Sequence, residues 1–296
     1  MFDLVYRLDP TNVEGRKIPA TSEEARQLLM QGNRDFAEMT DARMTDKKTL
    51  VIPFDPVAFG WGVADGEAPA QAPFAAVLGC ADARVPTEMV FSKGCNELFV
   101  VRVAGNVLGQ ECLGSLRYAA LHFPKTLRLL VVLAHAGCGA VTETVDIYLK
   151  PARYMHIATD YPIRSIVDQI LVAVRVAAMG LETLYGPEIL RKPESRAALL
   201  EAAVVLNAAW TAHCLRQEFR DEFPGLGVAF GAYDLASRNV RLPLSPAGEI
   251  TEGEKGLFAP PADVEEFRNL AMRICSGSLV QSLLTDSPRP HMSPVV

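Results

Sequence analysis

The chain has 296 residues, 49% hydrophobic and 22% charged, with a formal net charge of −6 and a pI near 5.5. This is ordinary globular composition, and the acidic balance argues against nucleic acid or an anionic membrane as the main partner. The greasiest helical stretch, Ile166–Met179, is interrupted by Asp168, Gln169 and Arg175, and Asp3 follows Met1-Phe2 where a secretory signal would be basic, so a soluble, cytoplasmic protein is expected.

Residues 1–20 read as an extended arm. Thr21-Ser22-Glu23-Glu24 has the spacing of a capping box and starts a helix to about Met39, with Ala25, Leu28, Leu29, Gly32 and Phe36 on one face. Residues 40–73 show no sustained period and read as a long connector. Strands are expected at Phe74–Leu78, Leu98–Val103 and Leu127–Ala134, with a helix over Gly109–Phe123 between the last two. Strand–helix–strand with short links implies parallel pairing.

Residues 140–225 read as mostly helical, with helices at Ser165–Met179 and Glu194–Phe219. Leu199, Ala203, Leu206, Trp210 and Cys214 form a buried stripe on the second. Gly227–Leu235 and Asn239–Leu242 read as a hairpin turning at Ser237-Arg238-Asn239. The tail from Ser287 carries Pro288, Pro290 and Pro294 and cannot continue a helix. The expectation is one α/β domain over 1–296, with a mainly parallel sheet flanked by helices. It comprises an N-terminal arm and helix (1–40), a core (71–242) with a helical insertion at about 150–225 and a C-terminal hairpin, and an extension (243–296).

Two of the apolar strands end in chemistry. Gly79-Cys80-Ala81-Asp82-Ala83-Arg84 follows one, and His135-Ala136-Gly137-Cys138-Gly139 follows another. Ligands collect at the carboxyl ends of strands in an open parallel sheet, so Cys80, His135 and Cys138 can reach one point. Two thiolates and an imidazole make a three-ligand zinc set with a fourth position open, a catalytic rather than a structural count. Six cysteines in so long a chain do not make a disulfide scaffold, and Cys95, Cys112, Cys214 and Cys275 read as small buried hydrophobes.

These residues resemble the β-class carbonic anhydrases over most of 22–242. Cys80-Ala-Asp82-Ala-Arg84 is similar to that family's Cys-x-Asp-x-Arg signature, and His135-Ala-Gly-Cys138 to its His-x-x-Cys signature. The opening helix Leu28–Phe36, Arg102-Val-Ala-Gly105-Asn106 and Tyr233-Asp234-Leu235 match smaller blocks. The resemblance extends to the plant-type subtype through Gln71, Val77, Phe99, Tyr118 and His122. In that subtype a glutamine hydrogen-bonds the bicarbonate-like ligand and aromatics cross a dimer interface, whereas the other subtype has tryptophan where Val77 stands. The chain departs from the family in two extra residues between Tyr118 and His135 and in a longer helical section.

The resemblance implies a zinc enzyme that reversibly hydrates CO₂ to bicarbonate through a metal-generated hydroxide. Asp82, two residues past a ligand, would accept the hydroxide's hydrogen bond, and Arg84 would pair with Asp82 and keep it ionised. Arg102, charged at a strand end, suits an ion pair or an anion contact equally. The expected partners are CO₂/bicarbonate and a second copy of the chain, as a homodimer or higher oligomer. Alternatives are hydrolysis of CS₂ or COS on the same fold, and a zinc-stabilised regulatory module without turnover.

Overall fold

The computed structural model describes residues 2–8, 18–39, 48–243 and 252–285. The first described segment is a strand rather than an unpaired arm. β1 (Phe2–Leu8) lies parallel to β2 (Lys48–Phe54), and α1 (Ser22–Met39) is placed between them in the chain. The stretch read as a connector thus contains β2 and a 3₁₀ turn at Val57–Phe59. β1 escaped notice because its face is not buried: Phe2, Val5, Tyr6 and Leu8 are all exposed, so no hydrophobic alternation marks it.

The main sheet is built from β3 (Ala75–Gly79), β4 (Leu98–Arg102), β5 (Leu129–His135), β6 (Gly227–Tyr233) and β7 (Val240–Arg241), in the order β4-β3-β5-β6-β7. All neighbours are parallel except β6 and β7, which form the antiparallel hairpin. The short α2 (Thr87–Val90) follows β3, and α3 (Gln110–His122) links β4 to β5. Three further helices, α4 (Gly139–Leu149), α5 (Tyr161–Tyr185) and α6 (Ser195–Phe219), fill the path from β5 to β6. Beyond the hairpin, α7 (Val264–Cys275) and α8 (Ser278–Thr285) occupy what was read only as an extension. The proline-rich tail from Ser287 lies outside the described residues.

Both faces of the sheet are covered, which is why its central strands are apolar at every position. On one face Ala76, Leu78, Leu130, Val132 and Phe230 join the core formed with α3, α5 and α6. On the other, Ala75, Val77, Val131, Leu133 and Ala229 meet Ala25 and Leu29 of α1. α6 is buried on more than one stripe: Leu199, Ala203 and Leu206 are joined by Ala198, Ala202, Val205 and Ala209. Trp210 and Cys214, expected on the buried stripe, are only partly covered. α6 is long and apolar enough to cross a membrane by composition, but it is a core helix, 72% of its most apolar window being buried.

The buried face of α1 differs from the expected stripe at Leu28, which is exposed, while the polar Asn33 is buried. Asn33 ties three segments together. Its Nδ2 donates to Val90 O and Arg238 O, and its Oδ1 accepts from Val240 N. Beside it Gly32 lets the helix approach the end of α2, since a methyl group there would lie 1.8 Å from Phe91 O. Gly32→Ala is therefore expected to push α1 off the sheet and destabilise the fold by about 1–3 kcal/mol. A denaturation midpoint unchanged from that of the natural chain would show that the contact is not so close.

Candidate metal centre

β3 continues to its neighbour on one side, β4, whereas β5 leads to its neighbour on the other, β6. The winding of the sheet reverses between the carboxyl ends of β3 and β5, the place where open α/β sheets bind ligands. Cys80 leaves β3 immediately after Gly79, His135 is the last residue of β5, and Cys138 directly precedes α4. All three are buried, and their ligand atoms lie within 4.8 Å of one another, the group among the described residues with that convergence.

The loops are fixed by backbone hydrogen bonds that extend the sheet beyond its strands. Val103 N donates to Gly79 O, Ala81 N to Val103 O, and Ala136 N to Tyr233 O. Arg102 adds a clamp, its Nε donating to Cys80 O at 2.9 Å and its Nη2 to Asp82 O at 2.5 Å. The sequence left Arg102 as an ion pair or an anion contact. Its guanidinium engages backbone carbonyls, because in register Arg102 stands opposite Gly79 and the loop carbonyls lie within its reach.

The donor set fits a metal ion. Cys80 Sγ and Cys138 Sγ are 3.8 Å apart, far too long for a disulfide. Two sulfurs each ~2.3 Å from one tetrahedral ion would lie roughly that distance apart. His135 Nδ1 is 3.1 Å from Ala136 O, the contact that makes Nδ1 the protonated nitrogen. The lone pair is then on Nε2, which is buried without any hydrogen-bond partner.

The two thiols titrate as a pair. The hydrogen bond from Cys138 draws Cys80 well down against the opposing effect of burial, and the N–H groups of Asp82 and Gly105 help. Cys138 is pushed up in turn by its bond to Cys80 and by burial, although the N–H groups of Val141 and Ala140 at the start of α4 favour its thiolate.

Asp82 stands at the rim. Arg84 binds its carboxylate through Nε to Oδ1 at 2.9 Å and Nη2 to Oδ2 at 2.6 Å, and Arg84 N reaches Oδ1 at 2.8 Å. These bonds hold Asp82 well below the usual carboxylate range. Its Oδ2 is 3.8 Å from His135 Nε2.

Other residues named from the sequence do not come to this point within one chain. Val77 is enclosed in the sheet core under α1 and is not open to the cluster. Phe99 pairs in register with Ala76, four residues before Cys80, and so lies about 13 Å back along the strands. Tyr118 stacks on His122 with ring centroids 3.9 Å apart and meets Phe99 at 6.5 Å. Gln71 is exposed near the same amino ends, next to Ala72, whose N–H is bound by Asn96 Oδ1. Of the four cysteines read as hydrophobes, Cys275 is buried, with burial raising its thiol to about 12, while Cys95, Cys112 and Cys214 are partly exposed.

Residues 75–221 match the carbonic anhydrase family model. Carbonic anhydrase 2 of Mycobacterium tuberculosis (strain H37Rv) is 47% identical over 82 residues, covering 27% of this chain and 38% of that protein. The carbonic anhydrase of Mycolicibacterium smegmatis is 47% identical over 79 residues, 26% of this chain and 36% of its own. The chain therefore spans well under half the length of the curated relatives it matches. Among solved structures, a Coccomyxa β-carbonic anhydrase in complex with acetazolamide is 22% identical, covers 72% of this chain and 83% of its own, and has a TM-score of 0.44. The β-carbonic anhydrase CafA of Aspergillus fumigatus is 20% identical, with coverages of 68% and 82% and a TM-score of 0.44.

The Arg102 clamp yields a test independent of turnover. Arg102→Met should leave the sheet intact yet loosen the Cys80–Asp82 loop, weakening Co²⁺ binding by about 10–100-fold. Titration followed by the thiolate-to-metal absorption band would show it, and unaltered affinity would mean that the loop holds its shape without the guanidinium.

Proposed function

We propose that this chain belongs to the β-class carbonic anhydrase family, holds one Zn²⁺ through Cys80, His135 and Cys138 and reversibly hydrates CO₂ to bicarbonate. The observation that carries the reading is the buried, partnerless Nε2 of His135 facing two sulfurs 3.8 Å apart, inside the family match. Zinc held there would supply a Lewis acid that makes a water molecule acidic near neutral pH, an effect best known from carbonic anhydrases themselves.

The chain's own part is orientation and proton handling. Asp82, held ionised by Arg84, is acceptor-only. Its Oδ2 faces the cluster and is placed to accept a hydrogen bond from the reacting water, turning that oxygen's lone pair toward CO₂. CO₂ is apolar and offers few hydrogen bonds, so shape and exclusion of other water must position it. Within one chain Phe99, Tyr118 and His122 lie away from the site. In the plant-type arrangement Phe99, Tyr118 and His122, with Gln71, complete the pocket of a second copy. The exposure of Tyr118 and Leu121 beside the edge strand β4 supports that role.

Asp82→Asn should retain zinc, measured as metal per chain, but lower CO₂ hydration by about 10²–10⁴-fold, because the amide can donate a hydrogen bond and misdirect the water. Stopped-flow CO₂ hydration, run beside CS₂ hydrolysis, is the assay. Turnover near that of the natural chain in this variant would defeat the assigned role.

The active species should be a dimer of the obligate kind, with an interface burying upwards of ~2,000 Å². Leu121→Arg, remote from the three ligands, should dissociate it and depress turnover together with zinc still bound. Sedimentation beside the hydration assay decides the point, since a fully active monomer would refute a shared pocket.

A further inference from the structure

Cys80 is held at two points by the segment at the end of β4. Its carbonyl accepts from Arg102 Nε at 2.9 Å, and its sulfur accepts the Gly105 N–H at 3.4 Å. Of the two bonds, the second acts on the ligand atom itself. Gly105 can make it because it stands in the left-handed region, with φ 68° and ψ 14°. The residue is also wedged: a methyl group there would lie 2.7 Å from Ile170 Cδ1 of α5 and 3.1 Å from Ala140 Cβ of α4.

On its other side α6 brings up Asn207, a buried amide among buried Val, Leu and Ala residues of that helix. Burying such a group costs free energy unless it finds a partner, and its Nδ2 donates to Gly105 O at 2.8 Å. Gly105 is therefore engaged at both ends of its backbone, the carbonyl by α6 and the N–H by Cys80. The close walls exclude a side chain, but glycine has the widest choice of φ and ψ, so they do not by themselves select one orientation of its peptide groups. The bond from Asn207 does.

We propose that Asn207 is a positioning residue for the metal centre, holding Gly105 O so that the Gly105 N–H stays aimed at Cys80 Sγ. This assignment rests on reading Cys80, His135 and Cys138 as a metal site, and it adds a support from α6, a helix that carries none of the three. An N–H bound to a thiolate draws electron density from the sulfur, so its loss would make Cys80 the stronger electron donor to a bound ion. What matters is the Nδ2 donor. Leucine in its place fills similar space without one, and aspartate keeps the shape but offers only acceptors.

The test uses the full-length chain with Zn²⁺, Co²⁺ and an NMR-active isotope of Cd²⁺ as probes. In the natural chain cadmium should couple through Cys80 Sγ to the Gly105 amide proton. N207L should lose that coupling, move the thiolate-to-Co²⁺ absorption band to lower energy and bind zinc about 10–100-fold more weakly. N207D serves as a second donor-free variant should N207L not fold, with the same expectation. L206A, which empties the buried position beside Asn207 in the sequence, should lower the melting temperature yet leave coupling and band in place. Unchanged coupling and band in the donor-free variants, even with a lower melting temperature, would mean that Asn207 only packs, and would overturn the proposal. The same band shift in L206A, or no coupling to Gly105 in the cadmium-loaded natural chain, would overturn it as well. Failure of the natural chain to bind any of the three ions tightly would instead bring down the metal centre itself, and this assignment with it.

Discussion

A buried imidazole nitrogen with nothing to bond is a cost on the order of 1–3 kcal/mol, and His135 Nε2 bears it at the centre of this molecule. The neighbouring groups do nothing to relieve it. Cys80 and Cys138 face each other at 3.8 Å, and a second thiolate beside the first is opposed by both charge and burial. A cation at that point would answer all three demands at once. It would take the lone pair, neutralise the second sulfur, and turn repulsion between the ligands into common attraction.

Such a set is useful only if it stays in place, and the sheet supplies the precision. The ladder of hydrogen bonds does not stop at the strand ends but runs on through Ala81 and Ala136, each one residue beyond a ligand. Cys80 and His135 therefore inherit the register of β3 and β5, which the two covered faces of the sheet determine: a slip of one residue would turn every apolar side chain to the opposite layer. Supports from outside the sheet act on the loops themselves, as Arg102 does on the carbonyls of Cys80 and Asp82. The same core that makes the protein stable thus aims its reactive groups.

The parts legible in the sequence are those in which a local pattern and a tertiary requirement coincide. β3 and β5 are buried on both sides, so their Val- and Leu-rich runs announced parallel central strands, and the Cys and His at their ends announced the site. β1 was missed because an exposed strand leaves no apolar period, and β2 because its short Leu-Val-Ile run, with Ile52 buried, sits in a stretch without sustained alternation. Leu28 misled because its position follows the helical stripe while its side chain faces outward. Arg102 was obscure for a different reason: it acts on backbone carbonyls of a distant segment, and the sequence records only that a charged residue is present.

The placement of the aromatic group follows from the same sheet. Phe99, Tyr118 and His122 gather at the amino end of the edge strand, while the donor set occupies the carboxyl ends of the central pair. No rearrangement of loops within one chain joins groups separated by most of a strand's length, because β4 is locked in register to β3 over all five residues. On the proposed dimer, a two-fold axis would do so without distortion. It would bring the amino end of one edge to the carboxyl ends of the other copy, and an isologous contact would make the exchange reciprocal. On that arrangement the open edge of β4 and the exposed rings beside it, liabilities in a lone subunit, become the means by which each chain closes the other's site. Assembly and chemistry would then depend on one constraint, the fixed register of the edge strand.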